Sequence, residues 1–211
     1  MNEKIVLGIH VGHDRSAALL KDGYVIGSIA QERLDRIKHS RSVELPYDAI
    51  DSLLNYHCVS INEISCVAIS GDAMEADAIL ETIKSNFYSH YNCMMPIYFV
   101  SHHDSHAYAT FYASGFPNAL IFIADGGGDY YNSYTEAESL YVGNESCISL
   151  IKKRFQAPTI GRMGNGSNYL LPYMPSTVRT QEISIARKYE QFTYLLGFGW
   201  GQAGKTMGLA S

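Results

Sequence analysis

Ile5-Val6-Leu7-Gly8-Ile9-His10-Val11-Gly12-His13-Asp14-Arg15-Ser16-Ala17-Ala18-Leu19-Leu20-Lys21-Asp22-Gly23 decides how the rest of the chain is read. Ile5 to Ile9 is an apolar strand-like run. Gly12-His13-Asp14 turns the chain into a second strand over Ser16 to Leu20. Lys21-Asp22-Gly23 is hairpin chemistry, because Asp and Gly tolerate the positive φ angles of a tight two-residue turn. A third strand over Tyr24 to Ala30 is therefore expected to pair with the second. Pro46 then opens a helix with Ile50, Leu53 and Leu54 at helical spacing. A buried strand over Cys66 to Ile69, a helix around Glu75–Tyr88, a strand over Ile97 to Val100 and a helix over about His103–Ala113 follow. Three strands, then helices alternating with single strands, is an α/β layer pattern.

The second part of the chain begins by repeating the first. Ala119-Leu120-Ile121-Phe122-Ile123-Ala124 is nearly continuous in apolar residues, as expected for a central strand buried on both faces. It ends in Asp125-Gly126-Gly127-Gly128-Asp129. A second strand over about Glu138–Val142, a Gly143-Asn144 turn and a third strand from Cys147 to about Lys152 complete the echo. A repeated strand, glycine-and-acid turn and hairpin is how two-lobed phosphate-binding folds of the actin, sugar-kinase and Hsp70 type are built, and it is also what any two β-meanders look like. The fold class expected is an α/β, actin-like (ASKHA, ribonuclease H-like) lobe with the beginning of a second lobe. Residues about 156–183, rich in Gly, Asn, Ser, Pro and Thr, read as an irregular loop. Ile185 to Leu196 reads as a helix stopped by Gly197, and Gly199 to Lys205 as a glycine-rich loop. That loop lacks the preceding strand and the spacing of a Walker A motif.

The 211 residues carry 16 Lys plus Arg against 21 Asp plus Glu, a net charge of −5. With 46% hydrophobic and 18% charged residues, a disordered chain is excluded, since that class needs low hydrophobicity and high charge. Binding of nucleic acid through bulk basic charge is disfavoured too, which leaves a local patch around Arg33, Arg36, Lys38 and Arg41. The start shows no basic n-region followed by a long apolar stretch, and no apolar run approaches the roughly 20 residues of a membrane helix. A cytoplasmic location is expected. Cys58, Cys66, Cys93 and Cys147 are scattered without CxxC spacing, so buried free thiols are expected rather than a disulfide frame or a zinc site.

Ser101-His102-His103-Asp104-Ser105-His106 is the strongest local chemical signal. His102 and His106 are four residues apart, so on a helix their imidazoles share one face and can share a metal ion. Asp125, at the end of a neighbouring strand, is a natural third ligand. Two imidazoles and a carboxylate suit Fe(II), Zn(II) or Mn(II). Spacing alone equally allows His102 to cap the helix, His106 to pack beneath it and Asp125 to bond turn amides; three histidines within five residues tilt the reading toward metal. Gly126, Gly127 and Gly128 remove side chains where backbone amides can approach phosphate oxygens, and Gly8 with Gly12-His13-Asp14 offers a second such turn. Tight turns are the commoner fate of glycine runs. Glu32-Arg33-Leu34-Asp35-Arg36-Ile37-Lys38-His39 would by default be a solvated surface, but its place after the third strand lets Lys38 or His39 point into a cleft. The 16 tyrosines read as amphipathic filler at core edges.

These blocks together resemble the O-carbamoyltransferases of nodulation-factor and antibiotic biosynthesis, in their N-terminal Kae1-like domain. Gly12-His13-Asp14-Arg15-Ser16-Ala17-Ala18, Gln31 to His39, His102 to Phe116, Asp125 to Gly128, Ser184 to Phe198 and Gly204 to Ala210 stand in family order over most of the chain. Ala186 stands where the family commonly has glycine. The resemblance implies a cytoplasmic enzyme in which a YrdC-like domain makes carbamoyladenylate from ATP and carbamoyl phosphate. The Kae1-like domain then transfers the carbamoyl group to a hydroxylated small molecule such as a sugar or an antibiotic. By position, His102, His106 and Asp125 would bind a divalent metal, with Fe2+ first in order. His13 and Lys38 would be catalytic. Gly126, Gly127, Gly128, Gly204 and Lys205 would hold the nucleotide. The lobes would be 1–117 and an incomplete 118–211, with the YrdC-like domain supplied by the remainder of a longer parent enzyme. Family members are far longer, so this chain alone is expected not to make carbamoyladenylate. A relative of the tRNA threonylcarbamoyl-transfer proteins, or a non-catalytic nucleotide- or metal-binding fragment, are the alternatives; no membrane partner is expected, and a nucleic acid is disfavoured.

Overall fold

Alternation sets the first sheet. In strand β1 (Ile5–Val11) Ile5, Leu7, Ile9 and Val11 are buried while the residues between them are half-buried, the period-2 pattern of a strand with its apolar face on a core. The structure is a computed structural model that describes residues 3–71, 76–131, 134–156, 177–180, 184–199 and 202–210. β2 (Ser16–Lys21) pairs antiparallel with β1, opposing Leu19 to Leu7, and β3 (Tyr24–Ala30) pairs antiparallel with β2. The hairpin turn has Asp22 and Gly23 at φ 51° and 86°, as Asp-Gly predicts. β4 (Ile64–Gly71) lies parallel to β1, and β5 (Ile97–Phe99) parallel to β4, giving the order β3-β2-β1-β4-β5.

Short α1 (Glu32–Asp35) follows β3. α2 (Tyr47–His57) buries Ala49, Ile50, Leu53 and Leu54 and packs on β2 and β3. Gly27 is the contact point on β3: a Cβ there would lie 3.0 Å from Leu53 and collide with His57. α3 (Ala76–Tyr91) brings Ile83 and Phe87 into the same core. Leu7, Leu19, Ile50, Val67, Ile69 and Phe87 are fully buried. Leu19→Ala is expected to cost about 2–5 kcal/mol, since a methylene-poor cavity opens in a packed interior; a denaturant midpoint measured beside the parent chain reads it.

The second sheet is built around a helix. α4 (His102–Ser114) buries Ala107 and Phe111 against Ile121, Ile123 and Tyr141. β6 (Asn118–Ala124), β8 (Tyr134–Asn144) and β9 (Ile148–Gln156) form an antiparallel meander, with the two-residue β7 (Tyr130–Tyr131) pairing to β8 and β10 (Thr177–Thr180) parallel to β9. Gly143 lets Phe111 lie on the sheet, because a Cβ there would sit 2.8 Å from its ring. α5 (Ile185–Leu195) starts at Ser184, whose hydroxyl accepts from Arg187 N at 3.1 Å, and is followed by Gly197 at φ 83°. α6 (Ala203–Leu209) ends the described chain. The chain divides into units Met1–His102 and His103–Ser211, the division falling after the first residue of α4.

Four expectations are corrected. β6 is not a central strand buried on both faces: among the described residues it ends the order β10-β9-β8-β6, and Leu120 and Phe122 are 68% and 57% exposed. Its inward residues, Ile121 and Ile123, face α4, while every second apolar side chain points the other way. Gly204 and Lys205 lie in helix α6 rather than in a loop, a glycine-containing segment whose buried Thr206 donates to Thr193 of α5 at 2.8 Å, so packing overrides poor helix propensity. The stretch 156–183 is not wholly irregular, because Thr177–Thr180 extends the sheet as β10; residues 157–176 and 181–183 lie outside the described residues. The thiols are free as expected, but none is fully buried; Cys58 and Cys147 are exposed, at the end of α2 and in the turn before β9. No helix among the described residues is long and apolar enough to cross a membrane.

Candidate metal and transfer site

Helix periodicity brings His102 and His106 to one face of α4, one turn apart. Asp125 follows the last residue of β6. One donor atom from each of the three lies within 4.8 Å of the other two. His102 is buried, and its Nδ1 is 2.8 Å from the carbonyl of Gly71. That carbonyl can only accept, so Nδ1 carries the proton and Nε2 is the nitrogen with a lone pair to offer; a backbone carbonyl behind a ligating imidazole orients the ring in this way. His106 is half exposed, which rules out the reading that it packs beneath the helix, and its Nε2 is 3.9 Å from Asp125 Oδ2. Asp125 also bonds its own turn, as Oδ1 accepts from Gly126 N at 2.5 Å. Its two oxygens thus face two tasks. Two imidazoles and one carboxylate, with further positions left to other ligands, fit a borderline divalent cation.

A buried polar network that the sequence reading missed fixes this cluster. Glu136, on β8 and buried, accepts from Asp129 N at 3.1 Å and from His103 N at 3.4 Å, tying the glycine turn to the first turn of α4. Gly128 N donates to Glu136 O at 3.0 Å and Glu136 N to Asp129 O at 3.0 Å. The ammonium of Lys153 pairs with the Glu136 carboxylate and lies 3.7 Å from Asp104. Tyr141 donates to Asp104 at 2.6 Å; burial first, then the Asp104 charge, pushes its phenol far above the ordinary range, so it stays a donor at all working pH. His103 Nδ1 is 2.7 Å from Ser139 Oγ. The available signal was charged residues alternating into the inward positions of β8 and β9.

The glycines of the turn divide by environment. Gly126 has open space where a Cβ would stand, whereas a Cβ at Gly128 would meet the Glu136 carboxylate and lie 2.8 Å from His103. A Cβ at Gly127 would lie 2.9 Å from the Thr135 methyl group. Packing alone therefore demands glycine at 128. Gly128→Ala is expected to lower stability by about 1–3 kcal/mol, the usual cost of overpacking, read as a fall in melting temperature, while Gly126→Ala changes it little. Lys205 bonds Gln202 Oε1 at 3.0 Å and sits 5.7 Å over the Phe198 ring.

The turn after β1 carries the second group of candidates. Gly12 and Asp14 have φ 106° and 56°. Gly12 and Ser42 exchange backbone hydrogen bonds of 2.8 and 2.9 Å, and Asp14 N donates to His39 O at 2.7 Å. Arg15 donates to Ser40 O at 2.7 Å and Ser40 Oγ at 2.8 Å. The loop holding Lys38 and His39 is thereby stitched to the turn holding His13. Asp14 lies 2.8 Å from Nδ1 of His13 through one oxygen and 2.8 Å from Nδ1 of His39 through the other. Partial burial opposes its ionisation, but the bonds from His39 and His13 outweigh it and hold the carboxyl below its usual range. Donor atoms of Asp14, Glu32 and His39 also lie within 4.8 Å of one another, which their hydrogen bonds explain. Lys38 is exposed. His10, which the sequence reading passed over as a strand residue, has its ring 6.2 Å from those of both His13 and His102, and its Nδ1 3.1 Å from Ser70 Oγ. Histidine at the end of β1, two residues before the turn glycine, was the overlooked signal.

An α/β sheet ordered β3-β2-β1-β4-β5, followed by a strand, glycine turn and meander, places the chain in the actin-like class to which Kae1-type proteins belong. YeaZ from Pseudomonas aeruginosa has the same fold, with a TM-score of 0.50 at 14% identity over 83% of this chain and 75% of that one. No family model matches. In sequence the chain is a homologue of nodulation protein NolNO of Sinorhizobium fredii, 36% identical over 139 residues, which are 56% of this chain and 20% of that protein. This bears out the resemblance to the nodulation-type carbamoyltransferases. An uncharacterized protein of Methanocaldococcus jannaschii is 34% identical over 86% of the chain and 33% of its own length. The chain spans about a fifth to a third of these relatives.

Proposed function

We propose that the chain carries the transfer half of an O-carbamoyltransferase, moving a carbamoyl group from carbamoyladenylate to a hydroxyl of a sugar- or antibiotic-type acceptor. Homology to NolNO supports carbamoyl transfer in general. The observation that carries the finer reading is the trio His102, His106 and Asp125, with the tautomer of His102 set by Gly71.

A divalent cation held there, Fe2+ in first place, would supply Lewis-acid polarisation of the carbamoyl carbonyl. His13 takes the proton of the acceptor hydroxyl as its oxygen attacks that carbonyl. The new C–O bond forms, the bond from carbon to the adenylate phosphate oxygen breaks, and AMP leaves with the electron pair. Lys38 offsets the oxyanion charge that builds during attack. Gly126 leaves open space beside the turn for a phosphate, and Gly127, Gly128, Gly204 and Lys205 complete the proposed nucleotide contacts, the Gly126 and Gly128 amides being already engaged within the turn. The carbamoyladenylate reaches the domain from a YrdC-like part of the longer enzyme. We further propose a cytoplasmic setting and lobe limits of 1–117 and 118–211, a division by chain order that counts α4 with the first lobe although it shares its core with β6 and β8.

The test is direct. Metal-loaded protein supplied with preformed carbamoyladenylate and a panel of hydroxylated acceptors should release AMP and form a carbamate ester in equal amounts. AMP release without any carbamoylated acceptor across the panel would overturn the reading.

A further inference from the structure

Asp14 was read from sequence as part of a glycine turn. The structure gives it another task. Its carboxylate bridges two imidazoles, with Nδ1 of His13 and Nδ1 of His39 each at 2.8 Å. Asp14 reaches this position only with φ at 56°, a left-handed conformation that Asp and Asn accept more easily than other side chains. The backbone reinforces it through Asp14 N to His39 O at 2.7 Å and the Gly12–Ser42 pair. Arg15 secures the same loop through Ser40 and through Asp35, 3.6 Å away.

We propose that Asp14 is the positioning residue for His13, and that His39 holds Asp14 in place. The inference rests on the reading of His13 as the group that takes the acceptor proton. A carboxylate at Nδ1 fixes the imidazole in the Nδ1–H tautomer, so proton uptake falls to Nε2, and it stabilises the imidazolium that forms. The groups facing this pair are His10 on β1, beside His13, and His39 and Glu32, beside Asp14. The arrangement joins the Gly12-His13-Asp14 and Lys38-His39 segments at one point. Each supplies an imidazole to one carboxylate, and Lys38 is delivered to the turn by the same stitching.

The first test needs no turnover. Nitrogen-15 NMR of His13 in the whole chain should show the Nδ1–H tautomer. In Asp14→Asn, a near-isosteric change that tolerates the same φ, it should shift toward the other tautomer. His39→Gln should give a smaller change of the same sign. An identical tautomer in Asp14→Asn, with melting temperature unchanged, would overturn the proposal. The second test uses preformed carbamoyladenylate. Asp14→Asn should lower kcat roughly 10–100-fold with little change in KM. If His13→Ala removes transfer while Asp14→Asn keeps full kcat, Asp14 is not the positioning group, although the base assignment stands. If His13→Ala transfers normally, the base assignment fails whatever the NMR shows.

Discussion

His106→Ala is expected to bind divalent metal at least about 100-fold more weakly than the parent chain, because one of three protein donors is lost, and outer partners alone are worth 10–100-fold. His106 is the informative position. It is half exposed, so its removal leaves the packing of α4 intact. His102 is buried and bonded to Gly71, and its replacement would mix a folding effect with a binding one. Asp125→Asn serves as the second variant, keeping the shape of the turn while removing the charge. Titration with Co2+, followed by its ligand-field absorption, or with Fe2+ or Zn2+ by calorimetry, reads the loss. Since imidazole ligands must be unprotonated, parent affinity should fall as pH drops below the ordinary histidine range. Equal affinity in the parent and in both variants would remove the metal from the proposed chemistry and leave the fold untouched.

His13→Ala is expected to lower kcat for carbamoyl transfer about 10²–10⁴-fold, the range that one positioned proton acceptor contributes. KM for carbamoyladenylate should change little, because the imidazole acts on the acceptor hydroxyl as its oxygen attacks. His13 is exposed on its turn, so stability should be unaffected. Its effect is separable from that of the metal trio: His13→Ala should still bind Co2+ like the parent, whereas His106→Ala loses both metal and transfer. Undiminished transfer by His13→Ala, measured as carbamate formation from preformed carbamoyladenylate, would dismiss the base assignment.

The β2–β3 hairpin was legible because local signals agree there, whereas the order β3-β2-β1-β4-β5 rests on parallel pairings across intervening helices that no local signal gives. Alternation over Ile5 to Val11 and the Asp22-Gly23 turn both demand a hairpin with one apolar face. The grouping of His102, His106 and Asp125 was also visible, since i,i+4 histidines and a strand-end aspartate are matters of spacing. Glu136 and Lys153 were not. Their sequence context, a polar-rich strand, reads as solvent-facing, and only the register that sets β9 against β8 under α4 buries them as a pair. β6 failed in the opposite sense. Six apolar residues in a row say nothing about how many faces will be covered, because that depends on which strands and helices come to lie beside them.

Sequence by itself settled what is local: strand and helix periods, the hairpin turn, the helical spacing of His102 and His106, and the shortage of basic charge. Tertiary structure alone decided what depends on residues far apart in the chain. Gly71 selects the tautomer of His102 from 31 residues away, and Asp14 meets His39 across 25. Hydrogen bonds and ion pairs act over about 3 Å, and no periodicity reveals which distant groups a fold will bring within that range.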